Sequence, residues 1–105
     1  MDYLESMKEF QEIYETNVEP NYKRGYIDFA YIAMNKITNS MLYIEVPNEF
    51  SEVYGFCMAS AMTLENELMN GSKDSVEIAM MAFEIYFAMD YKSEKELLEK
   101  HLEMV

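Results

Sequence analysis

Residues 26–34 read YIDFAYIAM, a stretch in which only Asp28 carries a charge. A segment that is apolar nearly all round predicts a helix packed on several sides, because little of its surface is left for water to solvate. We extend this helix to about Tyr43 and expect it to lie at the centre of the fold. Its end is ambiguous, since apolar residues alternate along 42–46 as they would in a short strand.

Upstream of this stretch, apolar residues recur at helical spacing. A helix over residues 2–16 places them on one face: Tyr3, Met7, Phe10 and Tyr14. Residues 17–25 follow, and they contain Pro20 and Gly25, which interrupt and end helices. The sequence therefore predicts a first helix followed by a loop.

Downstream, Pro47 separates the second helix from a third, which we predict over residues 49–70 and which Gly71 ends. Ser72 or Ser75 can cap a fourth helix that continues to about residue 91. This helix is as apolar as the second, so we expect it to be central as well.

A fifth helix is predicted to restart at Ser93, because Ser93 and Glu96 match the capping box, in which serine and glutamate satisfy each other's free backbone donors. The fold class that follows is all-α: a compact bundle of about five helices in a single domain spanning residues 1–105, with one short strand near 42–46 as a minor alternative. The second and fourth helices are expected inside, and the first and fifth outside.

The composition limits the classes of function that the protein can have. A chain of 105 residues, half of them apolar, can bury one core, and 20 Asp and Glu against eight Lys and Arg give a net charge of -12. This charge argues against direct nucleic-acid binding and against binding to anionic membranes. The single cysteine, Cys57, the acidic start and the lack of a long apolar run all favour the cytoplasm.

The residues that enzymes use are scarce. His101 is the only histidine and lacks partners at metal-binding spacing, so it is expected to be structural and no metal site is predicted. The sequence has no phosphate-binding glycine loop and no nucleophile beside a base. We therefore expect no catalytic residue, no cofactor and no enzymatic activity.

Acidic residues, by contrast, are arranged in two stripes. The first helix carries one at steps of three and four, opposite its apolar face: Asp2, Glu5, Glu9 and Glu12. The fifth helix repeats the pattern away from its leucines with Glu96, Glu99 and Glu103. Carboxylates at this spacing lie about 5 to 6 Å apart. Phosphates along one strand of a nucleic acid have a similar separation. The carboxylates can therefore bind the Arg and Lys side chains that normally hold phosphate.

These seven acidic residues are the predicted partner-binding site. A charge of -12 exceeds the magnitude of about 2 to 8 that solubility ordinarily needs, and a basic partner is the simplest reason for the surplus. We expect a non-enzymatic inhibitor or regulator of a basic nucleic-acid-binding protein, such as a nuclease, acting as a nucleic-acid mimic. Phage and mobile-element counter-defence proteins, including anti-CRISPR and anti-restriction inhibitors, follow the same logic, although this is an analogy of class.

Two alternatives stay open. Acidic helix faces are common solvated surfaces, and the eleven methionines and nine tyrosines, most simply core residues, are also suited to protein interfaces. An inhibitor could therefore use an apolar surface to block assembly of its target. Alternatively, the chain could be a self-associating helical scaffold, for example a homodimer, whose acids only confer solubility.

Overall fold

The computed structural model describes the backbone of residues 2–103 and the side chains of residues 2–88. Its helices, in chain order, are α1 (Tyr3–Ile13), α2 (Glu19–Lys23), α3 (Ile27–Met41), α4 (Ser51–Asn70) and α5 (Lys73–Glu103). A π-helical turn, Tyr14–Val18, joins α1 to α2, and a 3-10 turn, Asn48–Phe50, leads into α4. The all-α prediction is confirmed. The strand near 42–46 is not formed, and no strand occurs anywhere in residues 2–103.

The prediction of a loop over residues 17–25 is wrong for most of that range, because residues 17–23 are helical. The chain stays helical through the π turn, in which the N–H of Glu19 bonds the carbonyl of Tyr14 five residues back. A proline ring collides with the carbonyl four residues earlier in a regular α-helix, and the wider π turn relieves that contact ahead of Pro20. α2 ends at Lys23, and the chain turns at Gly25, whose φ of 83° permits a hydrogen bond from Tyr26 N to Asn21 O of 2.8 Å.

α3 buries one face rather than several. Ala30, Met34 and Ile37 are fully buried, whereas Phe29 and Ile32 are each 61% exposed. The neighbours of α3 are α4 on one flank and the π turn with α2 on the other. Because no described helix covers the remaining side, the prediction that this helix is enclosed is wrong.

The junction between α4 and α5 follows the sequence prediction. Gly71 ends α4 with its N–H bonded to Glu67 O at 2.7 Å. Ser72 caps α5, since its Oγ accepts the N–H of Ser75 at 3.2 Å. The two helices form the most extensive contact of the fold, with Cys57 Sγ 3.4 Å from Tyr86 O.

The predicted restart at Ser93 is wrong, because α5 runs without a break from Lys73 to Glu103. Neither glycine nor proline follows Gly71 in the sequence, and Glu, Lys and Leu are strong helix formers. A serine and a glutamate three apart are compatible with a helix interior as well as with a start. The fourth and fifth predicted helices are therefore one, and no described helix has the length and apolar character to cross a membrane.

The core lies where α1 and the π turn meet α3, α4 and α5. As predicted, the apolar face of α1 is buried, and the ring of Tyr14 stacks on Phe83 of α5 at 4.6 Å between centroids. Phe83 stacks in turn on Phe87 at 4.1 Å. The 3-10 turn and α4 contribute further core residues: Phe50, Cys57, Ala61, Leu64 and Leu68. This core fixes α1 against α5 and turns its opposite, acidic side outward.

The methionines divide between core and surface. Met7, Met34, Met41 and Met80 are buried, in agreement with their expected role as core residues. The exposed ones in the part of the chain with described side chains are Met62, Met69 and Met81. The interpretation of methionine as core filler is therefore correct for only part of the set.

Candidate protein-binding surface

The α1 acidic face consists of Asp2, Glu5, Glu9 and Glu12, and all four side chains are exposed. It lies opposite the buried residues of α1, because both sets recur at steps of three and four and are offset by about half a turn. The first of the two predicted acidic stripes is therefore a continuous solvent-facing strip along the helix.

Asp2 differs from the other three acids in having a local role. Its carboxylate accepts the backbone N–H of Glu5 at 2.8 Å, so it caps the amino end of α1. A negative charge at this end is also favourable to the helix dipole. Asp2 therefore supports the fold of the strip, while Glu5, Glu9 and Glu12 point their charges into solvent.

The charge of this strip is not compensated by neighbouring cations. Among side chains of residues 2–88, the ion pair present is Lys23 with Glu19, at 3.3 Å between Lys23 Nζ and Glu19 Oε1. Lys8, the one basic residue on α1, is exposed and forms no ion pair with the strip. The first 19 residues thus carry six acidic side chains against one lysine, and their field extends into solvent.

The second predicted stripe is described only in its backbone. Glu96, Glu99 and Glu103 belong to the terminal part of α5, which is helical as expected. Their side chains lie outside the described residues, and so does that of His101. Their relation to the α1 acidic face therefore stays a prediction.

The α1–α5 groove, which lies between α5 and the segment made of the end of α1, the π turn and the start of α2, adds acidic residues that the sequence did not indicate. It has a volume of about 420 Å³, and its lining includes Tyr14, Glu15, Glu19 and Glu84. The hydroxyl of Tyr14 donates a hydrogen bond to Glu84 Oε1 at 2.7 Å. Glu84 is 70 residues from Tyr14 in sequence, so no local spacing could reveal the pairing. The acidic surface therefore turns from α1 into this groove.

Tyr14 is held neutral in this acidic setting. Burial raises the pKa of Tyr14 well above its ordinary value, and the hydrogen bond to Glu84 raises it further. The negative charges of Glu84, Glu19 and Glu15 act in the same direction. The phenol is consequently a hydrogen-bond donor that anchors Glu84, and it is unsuited to act as a base near neutral pH.

The acids of the groove do not form a metal site. Within the described part of the chain, no group of three or more Asp, Glu, His or Cys side chains is placed to hold a metal ion. The arrangement offers accepting oxygens to a cationic or hydrogen-bond-donating partner. Such chemistry fits recognition of Arg and Lys side chains.

A second exposed surface lies between α3 and α4 and is apolar. Leu42, Met62 and Met69 are each more than half exposed along two adjoining depressions there. Glu65 lies between them, with Asn35 donating to its Oε1 at 2.7 Å and Thr38 to its Oε2. These hydrogen bonds engage the Glu65 carboxylate within the fold, so the depressions present mainly their apolar walls to a partner.

Comparison of the chain with protein-family models, with curated proteins and with solved structures gave no significant match. The functional argument therefore depends on the charges, exposure and geometry described above.

Proposed function

We propose that this protein is a non-enzymatic inhibitor that binds a basic nucleic-acid-binding protein through the α1 acidic face and competes with its nucleic acid. The observation that carries the proposal is the exposed strip of Glu5, Glu9 and Glu12, capped by Asp2 and free of ion pairs with the described cations. A strip of this kind attracts arginine and lysine clusters over a distance set by the ionic strength.

The spacing of the strip supports phosphate mimicry. Carboxylates three and four residues apart on a helix lie about 5 to 6 Å from one another, which suits a row of arginines arranged to hold successive phosphates. Each carboxylate can accept two hydrogen bonds from a guanidinium. Because α1 is anchored by its buried aromatic face, the carboxylates are displayed on a fixed helix.

The α1–α5 groove widens the proposed surface. Glu15, Glu19 and Glu84 border it, and the hydrogen bond from Tyr14 fixes the position of Glu84. An arginine that reaches past α1 would meet this cluster. The broader negative surface favours an extended basic channel as the target over a single exposed cation.

The test is a competition experiment with a charge-matched control. The protein is immobilised, its salt-sensitive partner is captured from a bacterial lysate and identified by mass spectrometry, and the purified pair is titrated with the partner's own DNA or RNA. We expect nucleic acid to displace the protein, and we expect affinity to fall at least tenfold when ionic strength rises from low to physiological. Failure of nucleic acid to compete would contradict mimicry.

The variant Glu5→Lys/Glu9→Lys/Glu12→Lys reverses the strip, and Glu49→Lys/Glu52→Lys/Glu77→Lys is its control. All six side chains are exposed, and both variants change the net charge equally. We expect the strip variant to lose at least a hundredfold in affinity and the control less than tenfold. Equal losses would show that only net charge matters, and an unchanged strip variant would refute the proposal.

The rival function, a self-associating scaffold with a merely solubilising charge, predicts the opposite salt response. Apolar self-association between two acidic copies is weakened by their mutual repulsion, so salt strengthens it. If the capture experiment recovered only the protein itself, and if the strip variant gave the same result, this rival would be favoured.

A further inference from the structure

The outer side of the α4–α5 pair is apolar and exposed. We define the α4–α5 outer face as Phe56, Ile78, Met81 and Ile85, which are 48%, 68%, 59% and 55% exposed. On α5 the three residues recur at steps of three and four, so they form one stripe on the side away from buried Phe83 and Phe87.

Phe56 joins this stripe from the neighbouring helix. Its ring stacks on Tyr86 with 5.5 Å between centroids and 11° between planes, and Tyr86 directly follows Ile85. Between the large side chains the two helices place small ones, Ala59 and Thr63 on α4 and Ala82 on α5. The surface is therefore continuous across both helices.

The centre of the face is uncharged in a strongly charged protein. Asp, Glu, Lys and Arg make up 27% of the chain, yet the seven residues named for this surface are neutral. Exposed Asp74 and Glu52 continue the two stripes one turn before Ile78 and Phe56, so the charges lie toward the ends of the face. Charged residues are depleted at the cores of protein interfaces. The middle of this face is therefore suited to apolar contact.

The exposed area is of the order that a dimer contact needs. Taking about 150 to 250 Å² for each large side chain, the exposed fractions of the four large residues amount to about 350 to 575 Å². Two copies in contact would bury about 700 to 1,150 Å² from these residues, and the neighbouring small residues add to the roughly 1,000 Å² that a specific interface needs. The small residues between them allow the helices of two copies to approach closely.

We propose that two copies of this protein associate through their α4–α5 outer faces. A two-fold axis across the face brings identical stripes together, since a closed symmetric dimer uses the same patch on both subunits. The four helices at the interface would pack as a bundle. The α1 acidic face lies on a different side of α5, the side on which Tyr14 meets Phe83 and Glu84, so both acidic faces of the dimer stay open.

Sedimentation equilibrium at low and high salt tests the dimer. We expect association that strengthens at high salt, because each copy carries a charge of -12. The variant Ile78→Glu/Ile85→Glu should weaken it at least a hundredfold, and Met62→Glu/Met69→Glu, with equal added charge on the α3–α4 surface, should weaken it less than tenfold. A monomeric wild type, or a larger effect of the control, would overturn the inference.

A second measurement avoids disturbing the face. Cysteine at Thr63, which is exposed near the expected axis, should form an oxidative cross-link between copies, and cysteine at Lys36, exposed on α3, should not. Buried Cys57 contributes little to either reaction. Cross-linking at Lys36 alone would place the contact elsewhere and refute this dimer.

The dimer and the proposed function can be tested separately. A protein that is monomeric but still binds its partner in a salt-sensitive way would refute the dimer and leave the proposed function standing.

Discussion

At the scale of single residues, two tyrosines connect separate segments through their hydroxyl groups. Tyr14 reaches from the π turn to Glu84 on α5, and Tyr54 on α4 donates to the backbone carbonyl of Met41 at the end of α3. Both hydroxyls must stay protonated to donate. Folding therefore depends on pH in the alkaline range.

Burial raises the pKa of Tyr54 to about 12, and it raises that of Tyr14 well above its ordinary value. Above about pH 10 the unfolded chain loses these protons and the folded chain keeps them. The stabilisation that these two protonated tyrosines contribute is therefore complete below about pH 10. The free energy of unfolding falls as pH rises further. We expect chemical denaturation to show this decline in the wild type.

The variants Tyr14→Phe and Tyr54→Phe should each reduce that decline, with Tyr43→Phe, an 86% exposed site, as the control. At neutral pH, loss of the hydrogen bond should cost about 1 kcal/mol at buried Tyr14 and at partly buried Tyr54. Tyrosinate absorbance provides an independent titration. If Tyr14→Phe unfolded with the same alkaline slope as the control, the assigned burial of this hydroxyl would be wrong.

At the scale of elements, two glycines, Gly55 within α4 and Gly71 directly after it, should respond to alanine in opposite directions. A Cβ at Gly71 would lie 2.8 Å from Glu67 O and would also collide with the Glu67 and Ser75 side chains, whereas a Cβ at Gly55 meets nothing within 4 Å. Gly55 is in the helix interior, where alanine is favoured by about 1 kcal/mol.

We expect Gly55→Ala to raise the free energy of unfolding by about 0.5 to 1 kcal/mol. Gly71→Ala should lower it by about 1 to 2 kcal/mol, because the turn that starts α5 has to shift. Thermal unfolding of the two variants measures both effects. A stabilised Gly71→Ala would mean that this turn is looser than the contacts indicate.

Element positions could be predicted from the sequence where spacing and punctuation agreed. Neighbours within a few residues determine the apolar face of α1, the span of α4 and its end at Gly71, and they narrowed the cap of α5 to Ser72 or Ser75. The continuation of the helix past Pro20 could not be predicted. It depends on the π turn, in which Val18 is buried by tertiary packing that local sequence does not reveal. The unbroken α5 was missed because Ser93 and Glu96 fit both a helix start and a helix interior.

The candidate surface was predictable in part for the same reason. Glu5, Glu9 and Glu12 share a helix, so their spacing determines that they share a face. Glu84 joins the acidic surface only through the contact with Tyr14, which depends on how α1 packs against α5. The exposure of Phe29 and Ile32 also depends on which helices cover α3, and apolar composition alone indicated burial.

At the scale of the whole molecule, surplus charge opposes folding. The chain carries -12, and the described side chains contribute one ion pair, Lys23 with Glu19. Self-repulsion is stronger in the compact state than in the expanded chain. Added salt screens it.

We therefore expect the melting temperature to rise by about 5 °C or more between low and high sodium chloride, which corresponds to about 1 kcal/mol for a domain of this size. The strip variant Glu5→Lys/Glu9→Lys/Glu12→Lys should show a smaller rise, since its charge is reduced. Calorimetry at fixed protein concentration measures both, because dimerisation also changes stability. A melting temperature that fell with salt would indicate that attractive pairs dominate.

The π turn has a consequence for how this chain tolerates changes in length. Each residue advances an α-helix by about 100°, and the π turn Tyr14–Val18 takes up one residue more than a regular turn over the same rotation. Deleting Asn17 would therefore restore regular winding and keep the rotational phase that turns Tyr3 and Phe10 to the core. Deleting Lys8 from the regular part of α1 would instead rotate Tyr3 by about 100° relative to Phe10. A one-residue deletion among the exposed positions near Tyr43 would leave that phase intact.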